Sequence, residues 1–288
     1  MYSFLTDPDQ AVWQLKQVLE PSEIRHLTIG IKGAGEMATG VAWRLFRSNF
    51  RKIFMMEIPN PMAVRRQVSF CEAVYDGSIT VEGVQAWVVP CPEDIPGAWE
   101  KNIIPVIVDP GWTSLTRVEP HIVIDAIMAK KNLGTRSTDA SLVIGLGPGF
   151  EAGASVHMAI ETNRGHNLGR VLTSGCPEPN TGIPGSINGY TVERVLRAPC
   201  AGIFRSRTAI GTLINSGEVI GTVEQQPVTA RISGIVRGLI RDNTRVPERM
   251  KIGDIDPRGK KEHCTTISEK ARAIGGSVLE AILNRYNH

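Results

Sequence analysis

The stretch IGIKGAGEMATGVAWRLF, residues 29–46, places a glycine-rich turn between an apolar run and an amphipathic one. The segment LTIGIKG has the apolar pattern of a buried strand, and GEMATGVAWRLFRSN has helical spacing. Gly33, Gly35 and Ala38 form a G-x-G-x-x-A pattern at the junction. In a strand-to-helix context this pattern is typical of a dinucleotide-binding turn. The alternative is a strand-to-helix corner that binds no ligand.

A dinucleotide at this turn would meet free main-chain N–H groups at the start of the helix. The predicted contacts are with Gly33, Gly35, Glu36, Met37 and Ala38. Glu57 ends the next apolar run, where an acidic residue is expected to bind a ribose. Its charge would repel a 2′-phosphate, which favours NAD or another dinucleotide with a plain ribose. Glu36 argues the other way, because its charge would face the phosphate.

Four further apolar runs, VQAWVVP, IPVIVDP, HIVIDAIMA and SLVIGLG, are typical of fully buried strands. Together with the first two strands they predict an α/β fold with a Rossmann-like, largely parallel sheet. The segment ASVHMAIETNRGHNLGRVLTSG predicts a hairpin, with a helix over 152–162 as the alternative. CPEPNTGIPGSINGY, residues 176–190, is dense in Pro, Gly and Asn and predicts a loop-rich boundary.

The pattern after this loop differs from the pattern before it. Short strands at regular spacing, with the similar turns APCAG and ARISG, predict a small all-β domain. The segment SEKARAIGGSVLEAILNRY predicts a C-terminal helix with Ser268 as its N-cap. The expected units are a helical extension over 1–26, the Rossmann-like domain with its hairpin over 27–193, the β domain over 194–258, and the C-terminal helix over 259–288.

Ligands of an open parallel sheet lie beyond the carboxyl ends of its strands. The candidate residues at those ends are Asp109, Asp125, Gly145 and Gly147, although each also suits an ordinary turn. Lys130 and Asn132 lie in the basic loop AKKNLGTR, which fits an anionic ligand or a solvated charge run. The turn ETNRGHN carries more hydrogen-bonding groups than a turn needs, so it is a ligand contact or a polar hairpin tip. Its candidates are Glu161, Asn163, Arg164, His166 and Asn167.

Composition excludes several classes of protein. A formal charge of +3 with scattered Lys and Arg argues against a nucleic-acid-binding protein. No run approaches the ~20 apolar residues of a membrane span, and the N-terminus lacks the pattern of a signal peptide. Five cysteines without a CxxC pair favour a reducing compartment, and the cytoplasm is expected.

His157 and Glu161 do not complete a metal site, and no P-loop or G-x-S-x-G motif is present. Cys264, beside basic residues, is the thiol to examine for a lowered pKa.

Several motifs together resemble one bacterial family. They are IKGAGEMATGVAWRL, MEIPNPMAVRRQVSF, DAIMAKKNLGTR, VIGLGPGFEAG, IETNRGHNLGRV, EPNTGIPG, KIGDIDPRG and CTTISEKARAIGGSVLEAI. Over residues 27–283 the chain resembles the YqeB-type family, whose members accompany selenium-dependent molybdenum hydroxylases. The resemblance implies an accessory or maturation role, with the hydroxylase or its maturation machinery as partner. It also adds molybdopterin cytosine dinucleotide to NAD as an expected ligand, and it implies no catalytic residue.

Residues 194–258 separately resemble biotinyl/lipoyl-type barrel-sandwich domains. The hairpin that would carry the modified lysine reads Glu224-Gln225-Gln226-Pro227, so no covalent biotin or lipoate is expected. Two alternatives to the maturation role stay open. One is an NAD-dependent oxidoreductase of a small substrate, with His166 as the candidate proton donor. The other is a non-catalytic assembly or docking factor. Catalysis and homo-oligomer formation are both left open.

Overall fold

The computed structural model describes residues 21–287, so the predicted helical extension over 1–26 falls mostly outside the described residues. The described chain forms one nine-stranded sheet and two four-stranded sheets. Its α-helices are α1 (Pro21–Ile24), α2 (Glu36–Arg47), α3 (Ala73–Asp76), α4 (Ile95–Glu100), α5 (Ser114–Val118) and α6 (Glu269–Tyr286).

The large sheet has the strand order β3-β4-β5-β2-β1-β6-β7-β8-β9. The strands from β4 to β8 run parallel, while β3 and β9 pair antiparallel at the two edges. The central strands are buried on both faces, which explains their continuous apolar sequences. The strands are β1 (Ile29–Lys32), β2 (Ile53–Glu57), β3 (Ser78–Val81), β4 (Val84–Val89), β5 (Ile104–Val108), β6 (Ile122–Asp125), β7 (Leu142–Leu146), β8 (Met158–Ile160) and β9 (Val171–Leu172).

The prediction of a Rossmann-like fold class is wrong. The sheet is mixed, with antiparallel strands at both edges. A doubly wound sheet returns through a helix between successive strands. Here β6 and β7 are joined by a loop with one 3₁₀ turn, Ser137–Asp139, and no α-helix lies between β7 and β8. Helix α6, which comes last in the chain, contacts β7, β8 and β9 instead. Apolar runs in a sequence show neither the direction of edge strands nor which helix will cover them.

The hairpin predicted over residues 154–175 forms, with β8 and β9 paired antiparallel, and the alternative helix over 152–162 does not. The two small sheets have the orders β10-β17-β15-β12 and β14-β13-β11-β16. They enclose one apolar cluster, which includes Phe204, Ile220 and Ile255. Their strands are β10 (Val195–Arg197), β11 (Gly202–Ser206), β12 (Leu213–Ile214), β13 (Val219–Val223), β14 (Gln226–Thr229), β15 (Gly234–Leu239), β16 (Arg245–Val246) and β17 (Lys251–Asp256).

Helix α6 packs on α2 through small residues. A Cβ atom on Gly40 would lie 2.7 Å from the Cβ atom of Ala271, and one on Gly275 would lie 3.0 Å from the Cβ atom of Arg44. Gly40 of α2 meets Ala271, and four residues further along both helices Arg44 meets Gly275. The two helices therefore run in broadly the same direction and begin at the same edge of the sheet. Ser268 caps α6 by accepting a hydrogen bond from the Ala271 N–H, which confirms the predicted N-cap.

The segment between β2 and β3 lies against the small sheets. Arg241 of the β domain binds the carboxylate of Glu72, and the Arg66 guanidinium donates to the carbonyl oxygen of Leu239 at 2.8 Å. A Cβ atom on Gly238 would meet the Val64 carbonyl oxygen at 2.7 Å, so backbone passes close to backbone here. These contacts hold the β domain beside the carboxyl edge of the large sheet.

Candidate functional site

Two cavities open along the carboxyl edge of the large sheet. Cavity A, of about 430 Å³, is lined by the glycine turn, the start of α2, residues 57–71, and Lys251 of β17. Cavity B, of about 520 Å³, is lined by residues 162–164, the loop 178–191 and Lys270 of α6. Met128 lines both cavities. Their volumes are within the range of small-molecule sites, about 300–1,000 Å³.

The glycine turn forms the base of cavity A. Gly33 has φ +90°, and its N–H donates to the Met56 carbonyl oxygen at 2.8 Å. A Cβ atom on Gly33 would also lie 3.2 Å from the Cα atom of Ile127, so a side chain would be strained there. Gly35 is the N-cap of α2, in an extended conformation with no side-chain cap, and no atom lies within 4 Å of a Cβ atom built on it. The first turn of α2, whose main-chain N–H groups have no partner within the helix, therefore starts next to open space.

Both acidic residues of the turn region have protein partners. The Glu57 carboxylate accepts hydrogen bonds from the Ala34 and Ile58 N–H groups, both at 2.9 Å, so it supports the turn as well as lining cavity A. Burial raises the pKa of Glu57, and the two N–H donors act in the opposite sense. Glu36 pairs with the buried guanidinium of Arg65 at 3.1 Å. The charge of Glu36 is thereby largely neutralised, which removes the objection that it would repel an approaching phosphate.

Lys251 was not predicted as a site residue. Its ammonium lies 3.9 Å from Asp254 and lines cavity A, and burial lowers the pKa of Lys251. It lies far from the glycine turn in sequence, and no local pattern marks it. Arg65 also lines cavity A and was missed for the same reason. It donates to the carbonyl oxygens of His263 and Thr266, both at 2.8 Å, and so joins the turn to the segment before α6.

Asp125 belongs to a buried charged network beneath the cavities. Its carboxylate accepts from the Thr135 hydroxyl at 2.6 Å and from the Ile127 N–H at 3.2 Å. The Lys32 ammonium donates to Thr135 and to Asp139, both at 2.8 Å. Burial raises the pKa of Asp125, whereas Lys32 lowers it. The network fixes the loop after β6, which carries Met128 and Lys130 to the cavities.

Glu161 holds the polar turn together. The carboxylate is buried and accepts from the N–H groups of Asn163 and Glu178, each at 2.6 Å. The side chains of Asn163 and Asn167 in turn donate to the Glu178 carboxylate, which lowers the pKa of Glu178. The dense hydrogen bonding that the sequence suggested is thus used mainly within the protein, where it anchors the loop that closes cavity B.

Eight of the predicted site residues line one of the two cavities. Gly33, Gly35, Glu36, Met37 and Glu57 line cavity A, and Lys130, Asn163 and Arg164 line cavity B. Nine line neither: Ala38, Asp109, Asp125, Asn132, Gly145, Gly147, Glu161, His166 and Asn167.

Three residues of the second group have evident local roles. Asp109 accepts from the Ser114 N–H at 2.6 Å at the start of α5. Asn132 accepts from two N–H groups of its own turn. Gly145 leaves room for the ring of Phe150, because a Cβ atom there would lie 2.3 Å from that ring. These residues shape the edge of the sheet without facing either cavity.

Residues 21–287 show neither a metal-binding cluster nor a lowered pKa at Cys264. No group of three or more His, Cys, Asp or Glu side chains in this range is placed to hold a metal ion. The His157 ring accepts a hydrogen bond from the Val143 N–H at 3.0 Å, and burial lowers the pKa of His157. Burial raises the pKa of the Cys264 thiol, opposite to the shift considered from the sequence. No helix in this range has the length and apolar character needed to cross a membrane.

Comparison with known proteins identifies a relative. No family model matches the chain. The uncharacterized protein YqeB of Escherichia coli (strain K12) is 48% identical over 258 residues, which are 90% of this chain and 48% of that protein. The chain is a homologue of YqeB. The expected resemblance to the YqeB-type family is thereby confirmed as homology to this relative, of whose length the chain spans about half.

Solved structures overlap with this YqeB-type chain at low TM-scores. An aspartoacylase family protein from Mesorhizobium loti has 10% identity and a TM-score of 0.23, covering 70% of this chain and 55% of its own. A succinylglutamate desuccinylase/aspartoacylase from Rhodobacter sphaeroides has 14% identity and a TM-score of 0.21, covering 47% and 58%. The ectoine utilization protein EutE (DoeB) from Ruegeria pomeroyi has 9% identity and a TM-score of 0.23, covering 74% and 61%.

Proposed function

We propose that the protein is an accessory protein of a selenium-dependent molybdenum hydroxylase system. In this role it holds a phosphate-bearing dinucleotide, NAD or molybdopterin cytosine dinucleotide, in cavity A. The YqeB homology and the motifs shared with that family support the accessory role. The proposed binding activity rests on one observation: the first turn of α2 has no side-chain cap and opens into a cavity that also contains Lys251.

The physical argument concerns the charge at the start of α2. The aligned peptide dipoles and free N–H groups of a helix N-terminus favour an anion. Glu36 is paired with Arg65, and the Glu57 carboxylate in the same cavity accepts two main-chain N–H groups. Asp254, 3.9 Å from the Lys251 ammonium, is shared with Arg194 and Arg237. A diphosphate would gain charge-assisted hydrogen bonds from N–H groups that are already oriented.

The sharpest test replaces Gly35 rather than Gly33. Because a side chain at Gly33 would strain the backbone, loss of binding there would have two explanations. Gly35 accepts any residue, with an extended backbone and open space around its Cα atom. Asp and Ser are both favourable N-caps, so Gly35→Asp and Gly35→Ser should each keep the fold and stabilise it by a few tenths of a kcal/mol. They differ in the negative charge that only Asp places at the anion position.

Calorimetric titration of the full chain with NAD and with ADP should give at least tenfold weaker binding for Gly35→Asp, about 1.4 kcal/mol. For Gly35→Ser we expect a change of less than about threefold. Thermal melting of both variants checks that the fold is retained. Equal affinity of wild type and Gly35→Asp would remove cavity A as the phosphate site. A hydroxylase that still requires this protein in cells, irrespective of Gly35→Asp, would then favour the docking role.

A further inference from the structure

Cavity B carries an excess of positive charge that the protein does not balance. Three cationic side chains line it, those of Lys130, Arg164 and Lys270, against the one carboxylate of Glu178. That carboxylate accepts hydrogen bonds from two asparagine side chains, which carry no charge. Arg164 pairs with Glu269 outside the cavity lining. With Glu178 and Glu269 both counted, three cations stand against two carboxylates, so cavity B keeps one cation in excess.

Lys270 is the clearest of these unbalanced groups. It is partly buried in the first turn of α6, and its ammonium makes no hydrogen bond or ion pair with any residue from 21 to 287. Burial and the nearby Arg164 lower the pKa of Lys270, while the carboxylates of Glu36 and Glu161 act in the opposite sense. A partly desolvated ammonium without a partner is costly to the fold, and an anion in cavity B would relieve that cost.

Thr162 adds a hydroxyl group to the lining of cavity B. The residue is only 3% exposed, and its hydroxyl has no hydrogen-bond partner among residues 21–287. The hydroxyl oxygen is not fully shielded from solvent, so it can donate to a ligand in the cavity. Gly147 makes room for it: a Cβ atom at this position would lie 2.4 Å from the Thr162 Oγ1 atom, and Gly147 has φ +82°.

We infer that cavity B is a second oxyanion site, which binds a phosphate group through the Lys270 ammonium and the Thr162 hydroxyl. Met128, Leu146 and Ile183 provide an apolar wall for the rest of the ligand. Met128 lines both cavities, so the two sites are neighbours. This step rests on the proposed function, in which the single diphosphate of the dinucleotide occupies cavity A. The phosphate group in cavity B therefore belongs to a second, separate phosphorylated molecule.

The experiment uses inorganic pyrophosphate as the probe and the full chain as the protein. Titration followed by calorimetry and by ³¹P line broadening should detect two equivalents bound to the wild type. Lys270→Gln should weaken one of them at least tenfold and leave the other unchanged. Thr162→Val should weaken the binding of the same pyrophosphate about fivefold, the effect of one hydrogen bond. Thr162→Ser keeps the hydroxyl group and should bind that pyrophosphate as tightly as the wild type does. Lys52→Gln, the same change of charge at the opposite edge of the sheet, should alter neither equivalent.

The outcomes separate this inference from the proposed function. Loss of one equivalent in Lys270→Gln and of the other in Gly35→Asp supports both. If only Gly35→Asp loses an equivalent, the phosphate site in cavity A is supported and the oxyanion site in cavity B is refuted. If only Lys270→Gln loses one, the site in cavity B is supported and the site in cavity A is refuted. A wild-type chain that binds fewer than two equivalents also overturns the inference. Melting temperatures address a merely structural role, since Thr162→Val removes an unpartnered hydroxyl and should melt no lower than wild type.

Discussion

Replacing Lys32 by methionine tests whether the buried network under the cavities stabilises the fold. The Lys32 side chain is 1% exposed, and its ammonium donates two hydrogen bonds of 2.8 Å, to Thr135 and Asp139. Methionine fills the space of the alkyl stem but leaves two carboxylates without their cation. Breaking a buried ion pair in this way costs about 3–5 kcal/mol. Because Asp139 remains 19% exposed and can rehydrate, we expect a loss near the lower limit, about 3 kcal/mol.

The cost should depend on pH. Burial raises the pKa of Asp125, so its contribution to stability is full below its unfolded pKa and is lost as the pH rises through its folded pKa. Lys32 lowers the pKa of Asp125, and Lys32→Met should therefore raise it further. Lowering the pH should therefore raise the free energy of unfolding of the variant by more than it raises that of the wild type. The difference in the free energy of unfolding should be largest at pH 8 and smaller at pH 5.

Urea titrations at both pH values measure these differences, and thermal melting at pH 8 should show a decrease of about 6 °C. Hydrogen exchange should also become faster in the loop 126–139, which the network holds. Lys52→Met, at an exposed lysine, is the matched control and should change stability by less than about 0.5 kcal/mol. A loss below about 1 kcal/mol for Lys32→Met at pH 8, or a loss that does not shrink at pH 5, would refute the assigned role of the ion pair.

Three further predictions concern packing, acid sensitivity and the polar turn. Gly40→Ala should lower the free energy of unfolding by about 1–3 kcal/mol, because its Cβ atom would lie 2.7 Å from that of Ala271. Gly276→Ala, with no atom within 4 Å, should raise it by about 0.5–1 kcal/mol, and equal effects in urea titrations would contradict the packing of α6 on α2. The pKa of Asp256 is lowered to about 2, so its charge should contribute about 2 kcal/mol above pH 5, and this contribution should roughly halve by pH 3. Urea titrations of Asp256→Asn across that range check this, and a difference from wild type that does not change with pH would exclude the linkage. Glu161→Gln should speed hydrogen exchange at the two N–H groups bound by its carboxylate; unchanged exchange would show that the carboxylate does not hold the turn.

Local features of the site could be predicted from the sequence. Gly33 has the positive φ that the turn requires, and α2 begins directly after Gly35 as the pattern indicated. Ser268 caps α6 as expected. These predictions succeed because capping and turn conformation depend on residues within a few positions of one another.

The non-local features could not be predicted in this way. Lys251 and Lys270 reach the cavities from β17 and α6, far along the chain from the glycine turn. The small residues Gly40 and Gly275 indicate a close helix contact, but their spacing does not identify the partner helix. The fold class was misjudged for the same reason. Strand direction at an edge, and the helix that covers a face, are set by tertiary packing that apolar periodicity does not encode.

The carboxylates at the strand ends show why such a site is difficult to assign from sequence. Glu57, Asp125 and Glu161 look like ligand contacts, yet each accepts main-chain N–H groups of its own or a neighbouring loop. Asp125 and Glu161 line neither cavity, and Glu57 lines cavity A while accepting two main-chain N–H groups. Lys251 and Lys270 line the cavities. The acidic residues that suggested a binding edge therefore build it. The groups able to bind an anion there are the N-terminus of α2 and two lysines from later in the chain.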